Sequence, residues 1–340
     1  MVNINKIAWD NWSKECEINR DISPCKKCIN DNKVKAGDNV ASKEPNLVEP
    51  IVNSFLAAGS MVFELTFKCI EKLAFKASTN IKDEGIYQEL PVFAEIPNYL
   101  EYRPIRLENE PLSFVIGIQE DGTYCKIDMF KDNHLLIVGA TGQGKSNALA
   151  CIDKSLKHNY SSDALKIIYV DFKKMDLINL YNKDYAIGNI VTTMDQLVKM
   201  IDWLEKLVFT RNEDITKLGK KNWHEYNKVA PVKMQAIVVL VDELARISLG
   251  NKKLQNKLFD LLSICRASGI YFICTTQDAA KETIGRCKIH FNQTLGFKVA
   301  TEVDSTTAIG STVLNDIEDY GRAYLKRRAS LAQVQVMEVN

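Results

Sequence analysis

The sequence has almost no net charge of either sign. It carries 44 Lys and Arg against 43 Asp and Glu in 340 residues, which gives a formal net charge of +1. A uniformly charged surface that attracts nucleic acids or membranes at long range is therefore excluded. Any nucleic-acid partner must be bound by local patches of basic side chains.

The sequence also lacks a regular cysteine framework, although it contains nine cysteines. An odd number without regular spacing argues against a disulfide-bonded secreted protein and favours a reducing compartment. Cys16, Cys25 and Cys28 offer three thiolates, one short of the four ligands of a structural zinc site, and no histidine precedes His134. Reduced, unpaired cysteines are the expected state, and a zinc site is the alternative.

Long uninterrupted apolar runs are absent. The first 21 residues have no apolar core, so no signal peptide is predicted. Residues 51–75 form the longest apolar stretch, but a polar stripe interrupts it at helical spacing, formed by Asn53, Ser60, Glu64 and Lys68. This pattern predicts an amphipathic helix that packs on a core or on another subunit. A helix on the membrane surface and a true membrane span are the alternatives.

These absences lead us to expect a cytoplasmic protein. Peripheral contact with the inner face of the cell membrane, or with a transfer machinery of a mobile element, is the further option that the helix at 51–75 leaves open.

Proline is scarce in most of the chain, because seven of the eight prolines lie at or before Pro111. Residues 1–46 are polar, and the stretch ELPVFAEIPNYLEYRP is typical of an extended connector stiffened by proline. We therefore predict a small N-terminal region at 1–110, consisting of an arm, the amphipathic helix and the connector. A compact domain is predicted at 111–340.

Short apolar runs alternate with helical patterns in this compact domain. The runs are HLLIVG, LKIIYVD, QAIVVLVDE, GIYFICTT and TLGFKVA. Such strands, separated by helices, predict an α/β fold with a mainly parallel sheet covered on both faces. The stretch SFVIGIQEDGTYCKIDM predicts a hairpin before them, and GRAYLKRRASLAQVQVMEV predicts two C-terminal strands that add an antiparallel edge.

One glycine-rich stretch, GATGQGKS, fits the phosphate-binding pattern G-x-x-x-x-G-K-[ST] in full. It follows a predicted strand and precedes a predicted helix, as the motif requires. We expect its backbone N–H groups to surround the phosphates of ATP, Lys145 to reach the β- and γ-phosphates, and Ser146 to bind Mg²⁺. The predicted ATP-binding residues are Gly139, Ala140, Thr141, Gly142, Gln143, Gly144, Lys145 and Ser146.

Polar residues at the ends of later strands complete this predicted site. The buried strand AIVVLVDE ends in Asp242, predicted to hold Mg²⁺ through water, and Glu243, predicted to polarise the attacking water. Gln277 ends the next strand and could sense the γ-phosphate or orient water. Arg266 is either a packing residue in its own chain or an arginine finger for a neighbouring subunit, and a finger would imply a ring.

The order of these motifs resembles the FtsK/SpoIIIE-type DNA translocases, within the wider FtsK–HerA ATPases. The resemblance runs from about Pro111 to the C-terminus and includes IIYVDFKKMDL, where Asp171 and Lys173 match an Asp-Pro-Lys element, together with NWHEYN and CRASGIYFICTTQ. It implies a RecA-like P-loop ATPase that uses ATP and Mg²⁺ and forms hexameric rings around double-stranded DNA, which it pumps. The catalytic and binding residues that it carries over are Lys145, Ser146, Asp242, Glu243, Gln277 and Arg266.

The chain departs from the family at several positions. Asp278 and Ala279 stand where the family commonly has Arg-Pro, Glu302 stands where it has lysine, and Thr294 where it has arginine. Because phosphate contacts supply most of the non-specific affinity for DNA, the grip on DNA must rely on other residues.

Three lysines are candidate DNA contacts. Lys288 matches a basic position of the family, and Lys252 and Lys253 are predicted in a loop after the acidic strand. A solvated surface is the alternative for each. With neither a C-terminal winged-helix module nor a multi-span membrane domain visible, we expect the compact type of plasmids, conjugative elements and phages.

Three functions remain open at the level of sequence. The first is a motor that moves DNA through an oligomeric ring. The second is an ATPase of the same superfamily that drives protein export or acts as a coupling factor. The third is a nucleotide-gated subunit that binds or recruits DNA and turns over slowly.

Overall fold

The computed structural model describes residues 96–250, 252–280, 284 and 286–339. The predicted arm, the helix at 51–75 and the three cysteines Cys16, Cys25 and Cys28 lie outside the described residues. Among the helices in the described part, none is long and apolar enough to cross a membrane.

The described chain alternates strands and helices. The strands are β1 (Ser113–Gln119), β2 (Tyr124–Asp128), β3 (Leu135–Val138), β4 (Leu165–Asp171), β5 (Ala236–Asp242), β6 (Ile270–Thr276), β7 (Gln293–Gly296), β8 (Arg322–Arg327) and β9 (Ser330–Val336). The helices are α1 (Met129–Asp132), α2 (Lys145–Asn159), α3 (Met194–Lys217), α4 (Trp223–Val229), α5 (Leu244–Gly250), α6 (Lys252–Ile264) and α7 (Glu302–Ile309). Short 3₁₀ turns cover Ile178–Leu180, Cys265–Ser268 and Arg286–His290.

All of these strands belong to one sheet in the order β2-β1-β9-β8-β7-β3-β6-β5-β4. The half from β7 to β4 is parallel, and the half from β8 to β2 is antiparallel. The α/β class, the hairpin and the antiparallel C-terminal strands are confirmed. The antiparallel part continues beyond β8 and β9, because the β1–β2 hairpin pairs onto β9 and forms the outer edge.

Helices cover both faces of the parallel half, as the continuous apolar runs predict. Side chains alternate along each strand, so Leu136 and Val138 of β3 face one core cluster while Leu135 and Ile137 face the other. The first cluster includes residues of α3 and α6, and the second includes residues of α2. Because parallel strands end together, this packing brings the carboxyl ends of β3, β5 and β6 to one edge of the sheet.

Helix α3 shows how local sequence fixes one of these elements. Thr193 caps its start in a capping box with Gln196, which satisfies backbone N–H groups at both positions. Its buried face then carries apolar residues at helical spacing, including Leu197, Ile201 and Leu204. This face packs in the same core cluster as β4 and β5.

Residues 96–110 contact the sheet domain, although the sequence assigns them to the N-terminal region. Arg322 donates to Asn98 Oδ1 at 2.9 Å, and the backbone N–H of Leu107 donates to Asn159 Oδ1 at 2.7 Å. The domain boundary at residues 110 and 111 stays a prediction.

Candidate active site

The glycine-rich loop joins the end of β3 to the start of α2, where the motif predicts it. Gly142 and Gly144 have φ angles of +77° and +108°, which side-chain-bearing residues rarely adopt. A Cβ atom at Gly139 would lie 2.7 Å from Cβ of Phe297. The glycines therefore let the backbone turn tightly against β7 and enter the helix with no side-chain cap at its N-terminus.

Lys145 points into this loop and is buried, with 8% of its surface exposed. Its Nζ donates to the carbonyl oxygens of Gly139 and Ala140, each at 2.8 Å. Burial lowers the pKa of Lys145, while the nearby carboxylate of Glu243 opposes this shift. The ammonium is thus held at the centre of the loop, where phosphates would be bound.

Asp242 is the last residue of β5, Glu243 follows it, and both are buried. Two threonines at the end of the neighbouring β6 hold them: Thr275 Oγ1 donates to Asp242 Oδ1 at 3.0 Å, and Thr276 Oγ1 donates to Glu243 Oε1 at 3.2 Å. Glu243 Oε1 also accepts the backbone N–H of Gln277 at 3.2 Å. Neither threonine is predicted as a site residue from the sequence, although their position beside Gln277 at a strand end is typical of such a role.

The backbone at Glu243 is itself unusual. Its φ is +70°, a value that is rare for a residue with a side chain. Its N–H donates to Thr275 Oγ1 at 3.2 Å, which helps to hold this conformation. Backbone strain of this kind concentrates at functional sites.

Lys173 is a further site residue whose role the sequence did not reveal. Its Nζ lies 3.7 Å from both Asp242 Oδ2 and Glu243 Oε2. Burial raises the pKa of Asp242, and the charge of Lys173 opposes that shift. The match of Lys173 to a family element was visible in the sequence, but its contact with these carboxylates depends on how β4 and β5 pair.

Gln277 connects the two halves of the site. It is exposed at the end of β6, and its Oε1 accepts a hydrogen bond from Thr141 Oγ1 in the glycine-rich loop at 2.9 Å. The structure therefore brings together Lys145, Asp242, Glu243 and Gln277 at one edge of the sheet.

The residues present also fit a magnesium ion. Oδ2 of Asp242 is buried and has no hydrogen-bond partner in the described part of the chain, while the hydroxyl-bearing Ser146 is exposed at the start of α2. No group of three or more His, Cys, Asp or Glu side chains that could hold a metal converges within the described residues. This donor set suits Mg²⁺, which is commonly bound by one or two carboxylates together with substrate phosphates.

Arg266 lies at the opposite end of the parallel strands, where they begin. It precedes β6, whereas the glycine-rich loop follows the carboxyl end of the adjacent, parallel β3. The length of a seven-residue strand, roughly 20 Å, separates the two edges. Arg266 is exposed and donates to Asn133 Oδ1 at 2.7 Å. It therefore cannot reach the glycine-rich loop of its own chain, which leaves packing or action on a neighbouring subunit.

The three candidate DNA contacts differ in their surroundings. Lys288 is half-buried and donates to the backbone carbonyl of Thr307, and burial lowers its pKa. Lys252 and Lys253 are exposed, but they begin α6 instead of lying in a loop, so that detail of the prediction was wrong. The residues after Lys252 repeat apolar side chains at helical spacing, with Leu254 and Leu258 buried, and this pattern favours a helix that begins at Lys252.

Two of the departures from the family pattern also differ in position. Thr294 is buried in β7, where it faces the interior of the fold and not a surface partner. Glu302 is exposed at the start of α7. Of these two positions, the exposed one is where a changed charge would meet a partner.

The chain is similar to known DNA translocases. It is 27% identical to DNA translocase FtsK of Clostridium tetani, over 71% of this chain and 35% of that protein. It is 26% identical to DNA translocase SftA of Bacillus subtilis, over 69% of this chain and 27% of that protein. The chain thus spans about a third of the length of the curated relatives that it matches.

Two solved structures have a similar fold. The monomer form of the pCW3 conjugation coupling protein TcpA with ATPγS is 27% identical, with a TM-score of 0.64 over 73% of this chain and 72% of that one. ATPases 2 and 3 of EssC from Geobacillus thermodenitrificans are 18% identical, with a TM-score of 0.66 over 72% of this chain and 48% of that one. The second likeness concerns the fold alone.

A model of the FtsK/SpoIIIE family matches residues 96–234. This range contains the glycine-rich loop and Lys173 and ends before β5, so the roles of Asp242, Glu243 and Gln277 rest on the geometry described above. The fold, the loop and the relatives agree with this match, so the chain is similar to the FtsK/SpoIIIE family over this range.

Proposed function

We propose that this chain is an ATP-dependent DNA translocase. The observation that carries the proposal is the convergence of Lys145, the Asp242–Glu243 pair and Gln277 at one edge of the sheet. Three strands that are neighbours in the parallel sheet supply these residues. The similarity to proteins named DNA translocases supports DNA as the cargo.

Each residue has a chemical role in this proposal. The backbone N–H groups of the loop and the N-terminus of α2 bind the phosphates of ATP, and Lys145 places its charge on the terminal ones. Glu243 polarises the attacking water as general base, and Gln277 orients that water or the γ-phosphate. A Mg²⁺ ion, held by Ser146 and Asp242 when bound, would neutralise charge on the phosphates.

Arg266 belongs to this proposal as an arginine finger that acts on a neighbouring subunit. Arg266 lies where the parallel strands begin, and the glycine-rich loop lies where they end. The site is therefore completed only when the side of one subunit that carries Arg266 meets the side of the next subunit that carries the loop. Such head-to-tail contacts close into rings. We propose a homo-oligomeric ring with six subunits, as in the FtsK/SpoIIIE-type translocases that the sequence resembles.

The DNA is proposed to be double-stranded and to be bound by basic side chains of the domain. Lys252 and Lys253 are exposed whereas Lys288 is half-buried, so the first two are better placed for this contact. The similarity to a conjugation coupling protein supports a role in the transfer of a plasmid or conjugative element.

The proposal is tested by ATP hydrolysis of the full chain with Mg²⁺, with and without long double-stranded DNA. We expect DNA to accelerate phosphate release several-fold, and Lys145→Ala to abolish both the basal and the stimulated rate. Hydrolysis that ignores DNA would favour a protein-export ATPase. DNA binding without turnover would favour a recruitment subunit.

A further inference from the structure

The oxygen atoms of the two site carboxylates are used unequally. One oxygen of each is held by β6: Asp242 Oδ1 by Thr275, and Glu243 Oε1 by Thr276 and the N–H of Gln277. The other oxygens, Asp242 Oδ2 and Glu243 Oε2, are each 3.7 Å from the ammonium of Lys173. A single cation position therefore lies between two carboxylate oxygens, and Lys173 is the cation that faces it.

The backbone of Lys173 is firmly placed while its side chain is long. The carboxylate of Asp171 accepts the backbone N–H groups that follow it, at 2.9 Å from Lys173, 2.8 Å from Lys174 and 2.9 Å from Met175. The side chain of Lys173 keeps 28% exposure. The turn is thus fixed next to the site, and the ammonium can change partner without any movement of the backbone.

The contact between Lys173 and Asp242 is electrostatic and not a hydrogen bond. A separation of 3.7 Å exceeds hydrogen-bond length, and Asp242 Oδ2 is buried without a hydrogen-bond partner among the described residues. A buried carboxylate oxygen in this state is costly, so a better cation at this position would replace the ammonium readily.

We propose that Lys173 is a positioning residue that takes the place of the metal at Asp242 and Glu243 until nucleotide is bound. The inference rests on the proposed function, since it assumes that this edge binds ATP. A divalent cation alone must compete with the ammonium for these two carboxylate oxygens. Bound nucleotide offers Lys173 a phosphate oxygen as a new partner. Lys173 therefore makes metal binding depend on nucleotide, which is a coupling free energy between two ligands.

The test is a titration of the full-length protein with Mn²⁺ as the probe. Electron paramagnetic resonance measures the concentration of free Mn²⁺ at each step. It is done without nucleotide and with a non-hydrolysable ATP analogue, on the wild-type chain, Lys173→Met and Lys173→Arg. Without nucleotide, Lys173→Met should bind Mn²⁺ about tenfold more tightly than wild type, because a competing charge is gone. Lys173→Arg should resemble wild type, since it keeps that charge.

Lys174→Met is the matched control, because it removes the same charge from the exposed neighbouring position. It should leave Mn²⁺ affinity within about twofold of wild type, which separates a local effect from a change in net charge. Thermal unfolding of each variant checks that the fold is kept. Equal Mn²⁺ affinity of Lys173→Met and wild type without nucleotide would overturn the inference.

The same titrations keep this inference separate from the proposed function. Tighter Mn²⁺ binding by Lys173→Met without nucleotide supports the role of Lys173 even if the wild-type chain binds no ATP analogue. Analogue binding by wild type, combined with unchanged Mn²⁺ affinity in Lys173→Met, would retain the proposed function and reject the role of Lys173.

Discussion

At the scale of single residues, the proposed hydrolysis of ATP depends on the orientation of the Glu243 carboxylate. Its backbone adopts φ of +70°, and its carboxylate accepts from a hydroxyl and a backbone N–H of β6. These contacts fix one oxygen and leave the other facing the site. A carboxylate that is held in one orientation beside a phosphate site is suited to polarise water.

Replacement of Glu243 by glutamine tests this role with little change in shape. We expect Glu243→Gln to bind ATP normally, because Lys145 and the loop are untouched, and to hydrolyse it at least about 100-fold more slowly. Phosphate release and titration with a fluorescent nucleotide measure the two properties separately. Turnover within a few-fold of wild type would show that Glu243 is not the base.

At the scale of elements, the end of β6 acts as a support for the end of β5. Thr275 and Thr276 are the last two residues of β6. They hold the carboxylates of Asp242, which ends β5, and of Glu243, which follows it. Both threonines are buried, and their hydroxyl groups also contact backbone groups: Thr275 Oγ1 accepts the N–H of Glu243, and Thr276 Oγ1 accepts the N–H of Asp278. We infer that β6 contributes to catalysis mainly by orientation.

The variant Thr276→Val removes the hydroxyl and keeps the shape of the side chain. We expect kcat to fall roughly 10- to 100-fold with little change in nucleotide affinity, because Glu243 loses its orientation and not its charge. Thr276→Ser keeps a hydroxyl group and should retain most of the activity. Equal rates for the valine and serine variants would argue against this support.

A second prediction at this scale concerns the start of β3, below the site. His134 is buried, its Nδ1 accepts the N–H of Phe272 at 3.0 Å, and its Nε2 is 3.0 Å from the carbonyl of Leu262. Burial lowers the pKa of His134 to about 4. At pH values between about 4 and 6.5, His134 is therefore protonated in the unfolded chain and neutral in the folded chain.

The folded state should consequently lose stability as the pH falls from about 6.5 towards 4, by roughly 1 kcal/mol per pH unit from this group. Chemical denaturation at several pH values measures the slope. His134→Asn, which lacks the titrating ring, should show a shallower decline over the same interval. The same slope in both proteins would show that other groups cause it.

The parts of the site that are local in sequence could be predicted, and the parts that depend on strand pairing could not. The glycine-rich loop, Asp242, Glu243 and Gln277 each follow an apolar run, and parallel strands must end at a common edge. The contacts of Lys173 and of the two threonines join β4, β5 and β6. The order of these strands in the sheet cannot be read from any single stretch of the sequence. Likewise, the distance of Arg266 from the loop follows from the direction of β6 relative to β3.

At the scale of the whole molecule, the proposed role of Arg266 as an arginine finger would make assembly part of the mechanism. The glycine-rich loop and Arg266 lie at opposite edges of the same sheet. With Arg266 in that proposed role, one chain alone carries half of each of two sites. We therefore expect activity to depend on contact between subunits.

Mixing two inactive variants tests this dependence. Arg266→Ala should bind nucleotide normally and hydrolyse it slowly, and Lys145→Ala should not hydrolyse it at all. Together, under conditions that allow subunit exchange and with DNA present, they should recover part of the activity. Lys145→Ala subunits still offer Arg266 to the intact loops of their neighbours. If mixing restores nothing while each variant is correctly folded, Arg266 is a packing residue.

Displacement of a third strand measures the proposed movement along DNA. A triplex-forming oligonucleotide is bound near one end of long double-stranded DNA, and its release by the full-length protein is followed over time. We predict release that requires ATP and Mg²⁺, is slower when the third strand lies farther from the entry point, and is absent with Lys145→Ala. ATP hydrolysis that DNA stimulates but that never displaces the third strand would contradict it.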